Sequence, residues 1–536
     1  MLLKSLCLAS ALALSVLGEK DSDPIHLLRK KGIASNQLNE ISSGLKGGDA
    51  CLCSLACDTL LSIFSSDSVN VAGQESYDAS QARYWSQQQA RDTKPKCFIQ
   101  PLDAEDVSVV VLVSRATECP FSVKGGGHTH FKGGSNSHGG ITIDFIQRKH
   151  VIPSADRKSV AFGPGNTWVD VYTVLDNLNL TMVGGRTATV GVSGLILGGG
   201  ISFFSGQYGW TCDNMINYEI VLASGEIVRV DSKSHPDLFW ALRGGGGNFG
   251  IVTEFVAKAI EQGPMWGGFV FWEMHSTKDA VINGLVNYAD KGAEKDPKAA
   301  LILSFAYAQQ HQLWLSCVMP HHSDPQPSGS HPEIFADFFG IENSLGDSTR
   351  TTSHSNLTIE VNGNNPIGLR QNYQVYTTYV DKQLALDILT IYHEEIEQIK
   401  NITGLLPALV YQIITIPQLR AMARAGGNAL GISGGKKPLM LINFTVMWAL
   451  DSDDEAVLTT STRILSRIQT LTRQRGLEHP FLYMNYASQF QDPLSSYGTE
   501  NKARLIEISK KYDPEGIFQK LSPGHFKFNG PPAAKW

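Results

Sequence analysis

The spacing of apolar and polar residues changes texture part-way along the chain. In the first part, apolar positions recur at helical spacing over 104–117, with Asp103 placed as an N-cap. Short apolar runs bounded by glycine predict strands at 121–123, 141–145 and 160–163, and an amphipathic pattern predicts a helix over 166–178. A hairpin is predicted from 218–222 and 227–230, turning at Ala223-Ser224-Gly225-Glu226. Ser234-His235-Pro236-Asp237 has a capping-box-like pattern before a short helix, and 251–256 reads as a strand. From about Gly267 the glycine clusters thin out. Strands are predicted at 269–273, 301–308, 313–318, 409–416 and 439–450, and long helices at 381–400 and 453–476. The second helix starts in acids and ends with Arg473 and Arg475, as the helix dipole favours. This texture predicts a second α+β domain, an antiparallel sheet backed by helices. A last helix is predicted over 501–511, closed by turn residues in Tyr512–Phe518.

Glycine is the one compositional excess, 51 residues in 536, and much of it clusters between Gly125 and Gly250. Lys124-Gly125-Gly126-Gly127-His128-Thr129-His130 lies between two strand-like segments. Without Cβ atoms, several backbone N–H groups can turn toward one anion, and Lys124 adds positive charge. The combination suits a pyrophosphate, with His128 able to reach what the pyrophosphate carries; a plain loop between strands is the rival reading. The second stretch, 183–200, has almost no charge, so it must be buried or closely covered. Its small residues let a flat, large ligand lie against backbone, the rival being a packed hairpin and turn. The third contains a formal GxGxxG at Gly245, Gly247 and Gly250. Here a helix precedes and a strand follows, the reverse of a dinucleotide fingerprint, so nicotinamide loses its main support.

The net charge of −6 gives no reason to expect nucleic acid as a partner. Residues 1–18 read as a secretory signal, with Lys4 before an apolar run too short to span a bilayer, and no later segment reads as a membrane span. Export is therefore expected. Of eight cysteines, Cys7 lies in the signal. Cys51, Cys53 and Cys57 cluster, with Cys97 and Cys119 as plausible partners in a pairing the sequence leaves open. A zinc site is the rival for that cluster, but no second Cys/His pair follows, and no metal is expected. Glycosylation sequons stand at Asn179, Asn356, Asn401 and Asn443, the last within a strand-like run. The His/Pro/Ser-rich segment 321–331 reads as an exposed loop, and 19–92 as an entry region whose part before Asp49 is polar and loosely ordered.

In combination and order, the motifs of 124–130, 190–200, 210–214, 239–255, 483–486 and 512–518 resemble those of secreted fungal flavoproteins of the berberine bridge enzyme-like group, within the vanillyl-alcohol-oxidase or PCMH-type FAD superfamily. The resemblance implies an α+β fold. A PCMH-type FAD-binding domain at 93–265 would be completed by 485–536, with a substrate domain at 266–484 inserted between. Gly125, Gly126, Gly127, His128, Thr129 and His130 would hold the pyrophosphate beside Lys124. Val190, Gly191, Gly194, Gly198, Gly199 and Gly200 would line the flavin side, with Asp213 nearby, and Ile251 and Val252 the adenine side. His128 matches the histidine joined to the flavin 8α-methyl. Thr187 stands where doubly linked members carry cysteine, so a single covalent bond is implied. The implied chemistry takes hydride from a small-molecule substrate to flavin N5 while a base removes a proton, and dioxygen restores the flavin with release of peroxide. Tyr483 and Tyr486 are the candidate bases, with Asn485 orienting; Tyr373, Tyr376 and Tyr379 form a weaker set. A secondary metabolite is the expected substrate, with carbohydrate oxidation or flavin-assisted cyclisation as alternatives. The oligomeric state is left open.

Overall fold

The computed structural model describes residues 23–47 and 52–532. The signal at 1–18 and Cys51 lie outside them. Among the described residues the chain builds three larger sheets around its glycine stretches, besides a two-stranded one of Leu180–Thr181 with Ile260–Glu261. The first has four strands in the order Val69–Val71, Cys97–Ile99, Ile141–Asp144, Phe121–Lys124, the last three parallel. The helix Ala104–Thr117 covers it with Val107, Val110 and Val111, all fully buried. Its N-cap is as predicted: the Asp103 side chain accepts from the Asp106 N–H.

The entry region departs from the sequence reading. Helices Pro24–Lys30, Ser35–Gly47 and Leu52–Ile63 form there, and Leu28, Leu38 and Ile41 enter the same core as the helix Ala104–Thr117. Sparse apolar residues suffice once a partner helix buries them. Disulfides Cys53–Cys119 and Cys57–Cys97 tie the third of these helices to the sheet and its covering helix, while Cys212 and Cys317 are buried thiols.

The second sheet is antiparallel, in the order Val151–Pro153, Ser159–Phe162, Ile251–Lys258, Met215–Val221, Ile227–Asp231. The capping box at Ser234 does not form: His235 is the N-cap, at φ 57°, without a side-chain bond, because Asp231 already accepts from the Lys233 and Ser234 N–H groups. The third sheet has ten strands, its central ones being Leu313–His322, Ala299–Ala308, Leu406–Ile414, Leu439–Trp448 and Arg370–Tyr379. Helices Met274–Asn287, Lys382–Glu397 and Asp454–Gln474 bury apolar residues against one of its faces. Arg370–Tyr379 escaped the sequence reading because nearly every residue in it is buried, on both faces, so apolar and polar positions do not alternate.

The segment 321–331 is also corrected. The strand Leu313–His322 runs into it: His321 stacks on Phe203 with centroids 3.7 Å apart, and His322 Nε2 lies 3.1 Å from Asp296. Asn179, Asn356 and Asn401 are exposed, but Asn443 is 4% exposed within a sheet, so the folded chain leaves no room there for a glycan. The C-terminal helix Thr499–Tyr512 buries Leu505 and Ile508 in the same core as Trp168 and Tyr218. Beyond it, Ile517 and Phe518 join the core of the first sheet. Among the described residues no helix is long and apolar enough to cross a membrane.

Candidate active site

A cavity of about 700 Å3 lies where the glycine stretches face the uncovered side of the ten-stranded sheet. Glycine is required at its wall for two different reasons. A Cβ on Gly126 would come within 2.5 Å of Gly191 N and Cα, so here two backbone turns touch directly. A Cβ on Gly194 or Gly247 would meet nothing within 4 Å, because both face open cavity. Gly125, Gly127, Thr129, Val190, Ile251 and Val252 also line it.

His128 and His130 both line this cavity, each with an Nε2 that is buried and without a hydrogen-bond partner. Burial pushes the imidazole of His128 down to about 4 and that of His130 to about 3, so both are neutral at pH 7. Trp85 stacks on His128 with centroids 4.0 Å apart, and Tyr373 stacks on His130 at 5.2 Å.

Several residues expected at the ligand lie behind it instead. Lys124 points away from the cavity: its Nζ donates to Ser80 O (2.9 Å) and Asp144 Oδ2 (3.2 Å). Burial pushes it down to about 8. Arg83 donates to the same carboxylate oxygen at 2.8 Å, so two cations share one anion behind Gly127. Asp213 caps the turn at Trp210 N (2.9 Å) and accepts from Asn428 (2.8 Å). Gly198 is pressed against Asn485, where a Cβ would come 2.0 Å from Oδ1. Gly199 and Gly200 take φ of 114° and 89° beside Trp210 and Thr211, a backbone only glycine adopts readily. Lys124, Asp213, Gly198, Gly199 and Gly200 do not line the cavity.

The three candidate catalytic side chains come together. Tyr483, 1% exposed, accepts at its hydroxyl oxygen from Gly200 N (3.1 Å), Ile201 N (3.2 Å) and Asn485 Nδ2 (2.9 Å). Burial holds it well above the usual phenol range. Asn485 also donates to Leu195 O at 3.0 Å, which fixes its amide orientation. The Tyr486 ring lies 4.8 Å from that of Tyr483, and its hydroxyl accepts from Arg186 Nη2 (2.6 Å) and Gln412 Nε2 (3.2 Å). Of the weaker set, Tyr373 lines the cavity, whereas Tyr376 bonds Glu478 (2.9 Å) and Tyr379 packs on His479, both away from it.

The sequence reading missed Arg186, Gln412 and Trp85. Arg186 was visible as the only charged residue in an otherwise uncharged stretch; Gln412 and Trp85 left no signal. Among the described residues, Arg186 and Lys527 are the charged ones lining the cavity, and no carboxylate lines it. Phe269, Phe271, Ile302, Val410 and Met447 make the sheet-side wall largely apolar.

Residues 95–231 match the family model described as FAD binding domain. The chain is 38% identical over 458 residues to the FAD-dependent monooxygenase tpcD of Cochliobolus heterostrophus, covering 83% of this chain and 87% of that one. Berberine bridge enzyme from Eschscholzia californica superposes with a TM-score of 0.70 at 16% identity, covering 86% of this chain and 97% of that structure. 6-Hydroxy-D-nicotine oxidase from Arthrobacter nicotinovorans gives 0.69 at 20% identity, with the same coverage. The residues present fit a FAD on their own chemistry: two side-chain-free walls at Gly194 and Gly247, a neutral imidazole with an unpartnered Nε2 at His128, and net positive charge behind the 125–127 loop.

Proposed function

The chain belongs to the family of FAD-dependent oxidoreductases with the PCMH-type FAD-binding fold, and from that premise we propose that it oxidises an apolar small molecule of secondary metabolism, with Tyr486 as the base. When bound, FAD supplies the hydride acceptor at N5 and passes the electron pair to dioxygen. The chain's own residues supply the rest. The loop 125–130 and the turn at 190–194 cradle the cofactor, and His128 is the residue available for a single covalent bond. With no carboxylate on the wall, proton removal falls to a tyrosine. Tyr486 is the better placed of the pair, because Arg186 and Gln412 hold its oxygen at the cavity surface. Arg186 thus donates to the oxygen that must take up the substrate's proton. Tyr483, closed in by three donors, orients the backbone at Gly200 and Ile201 instead. The apolar sheet wall favours a secondary metabolite over a sugar, whose hydroxyl groups would be left without partners there.

The observation that carries this reading is the carboxylate-free cavity with the Tyr486 hydroxyl held at its wall. Anaerobic mixing with candidate metabolites tests it: the yellow flavin should bleach in the wild type and bleach far more slowly in Tyr486→Phe. Equal rates in both would overturn the assignment of the base. We propose in addition that the chain is exported and glycosylated at Asn179, Asn356 and Asn401; the two disulfides support an oxidising route.

A further inference from the structure

Arg186 carries a charge that the protein does not balance. Its Nη2 donates to Tyr486 (2.6 Å) and to Gln412 Oε1 (2.9 Å), and among the described residues it reaches no carboxylate. Among the described residues the Nε–Nη1 edge of the guanidinium has no acceptor. That edge is a planar donor fork whose geometry matches two oxygens of an anion. A cation in a cavity without a counter-charge is costly unless a ligand brings one.

A second, independent observation lies on the same wall. Asn443 is 4% exposed, and its Oδ1 is fully buried with no hydrogen-bond partner among the described residues. It pairs across the sheet with Val410, while Gln412 pairs with Leu441, so Asn443 and Gln412 are diagonal neighbours on the cavity face. Buried amides are ordinarily satisfied, and this one lines the cavity with its Oδ1 unpartnered. The remaining sheet wall is largely apolar.

We infer that the substrate is an acid: an apolar molecule with an anionic oxygen, a carboxylate or an acidic enol, seated on the Nε–Nη1 edge of Arg186, with Asn443 bonded to a neighbouring polar group. The inference rests on the reading of this cavity as the substrate site. One guanidinium then holds both the acid of the substrate and the hydroxyl of the base, which fixes the reacting carbon relative to Tyr486. Arg186 is thereby a specificity determinant, and neutral esters of the same skeleton are poor ligands.

The test uses the purified holoprotein and follows the flavin absorbance during titration. Benzoate probes the carboxylate, dimedone the acidic enol, and methyl benzoate the neutral control. At least one anion should perturb the flavin spectrum saturably, and which one does so identifies the source of the anionic oxygen; methyl benzoate should not perturb it at the same concentrations. Arg186→Gln should weaken the anion about 10- to 100-fold, the loss of a charge-assisted bond. Arg186→Lys should recover part of that by keeping the charge without the fork. The inference is overturned if the ester binds as well as the acid, if neither anion binds, or if Arg186→Gln changes anion affinity by less than about twofold. An Arg186→Gln variant with altered flavin potential but unchanged anion affinity also overturns it, by giving the cation to the cofactor. A colourless wild-type protein would count against the flavin reading instead, and calorimetry with the same anions would then read the Arg186 site directly.

Discussion

Gly126→Ala separates the two reasons for glycine at this site. A methyl on Gly126 would lie 2.5 Å from Gly191 N and Cα and 3.5 Å from Thr189 O. Those are backbone atoms, and the turn that carries them is tied on both sides, Trp168 N to Val190 O at 3.1 Å and Val192 N to Asn166 O at 3.0 Å. The turn cannot move aside without stretching one of these bonds. Overpacking costs about 1–3 kcal/mol, and a buried hydrogen bond lost to relieve it adds about 1 kcal/mol, so about 2–4 kcal/mol is expected. Gly194→Ala is the control. It lies within the short helix Val192–Leu197 and has no atom within 4 Å, so the bare fold should be unharmed or gain about 0.5–1 kcal/mol from the lower backbone entropy of the unfolded chain. Its methyl would instead intrude on the cavity. Both are best measured by chemical denaturation in a His128→Ala background freed of flavin, so that bound cofactor does not add to stability, with flavin content read separately in the wild-type background. Gly126→Ala should lower the midpoint at unchanged m; Gly194→Ala should keep the midpoint and lose flavin. A Gly126→Ala protein as stable as its parent, or a Gly194→Ala protein with full flavin content, would refute the reasoning.

Other perturbations test the rest of the site. His128→Ala should release the yellow colour on acid denaturation, while the wild type keeps it with the polypeptide; colour retained by both would place the bond on another residue. Tyr483→Phe should destabilise by about 1–3 kcal/mol, because it strands the buried donors of Gly200, Ile201 and Asn485. Tyr486→Phe should leave stability within about 1 kcal/mol and slow substrate-dependent flavin reduction by about 10²–10⁴-fold in stopped flow. Four histidines besides His128 predict acid sensitivity. Burial pushes each of His130, His321, His354 and His525 down to about 3. With folded values depressed, the unfolded chain takes up protons first below pH 6.5. Stability is therefore fully present above that pH and falls by up to about 1.4 kcal/mol per pH unit per histidine toward the folded values. Denaturation midpoints between pH 7 and 5 should fall steeply in the wild type and less steeply in His354→Phe; parallel slopes would refute the assignment.

Features that depend on near neighbours were legible along the chain. The helix Ala104–Thr117 with its Asp103 cap, the hairpin turning at Gly225, and four of the five central strands of the large sheet were legible because period and turn chemistry are local. The glycines at 125–127 and 191–194 were legible as special backbone, and Tyr483, Asn485 and Tyr486 as one polar cluster. What those residues face follows from long-range packing. Lys124 sits next to the loop in sequence, yet Asp144 draws it behind the sheet, because a buried cation goes to its counter-charge. Asn443 carries a sequon, but strand pairing turns it into the cavity. Arg186 meets Gln412 and Tyr486 across separations of 226 and 300 residues. Periodicity says that a strand has a buried face, but register and packing choose the chain opposite it, and the chemistry of this site is written in those distant pairings.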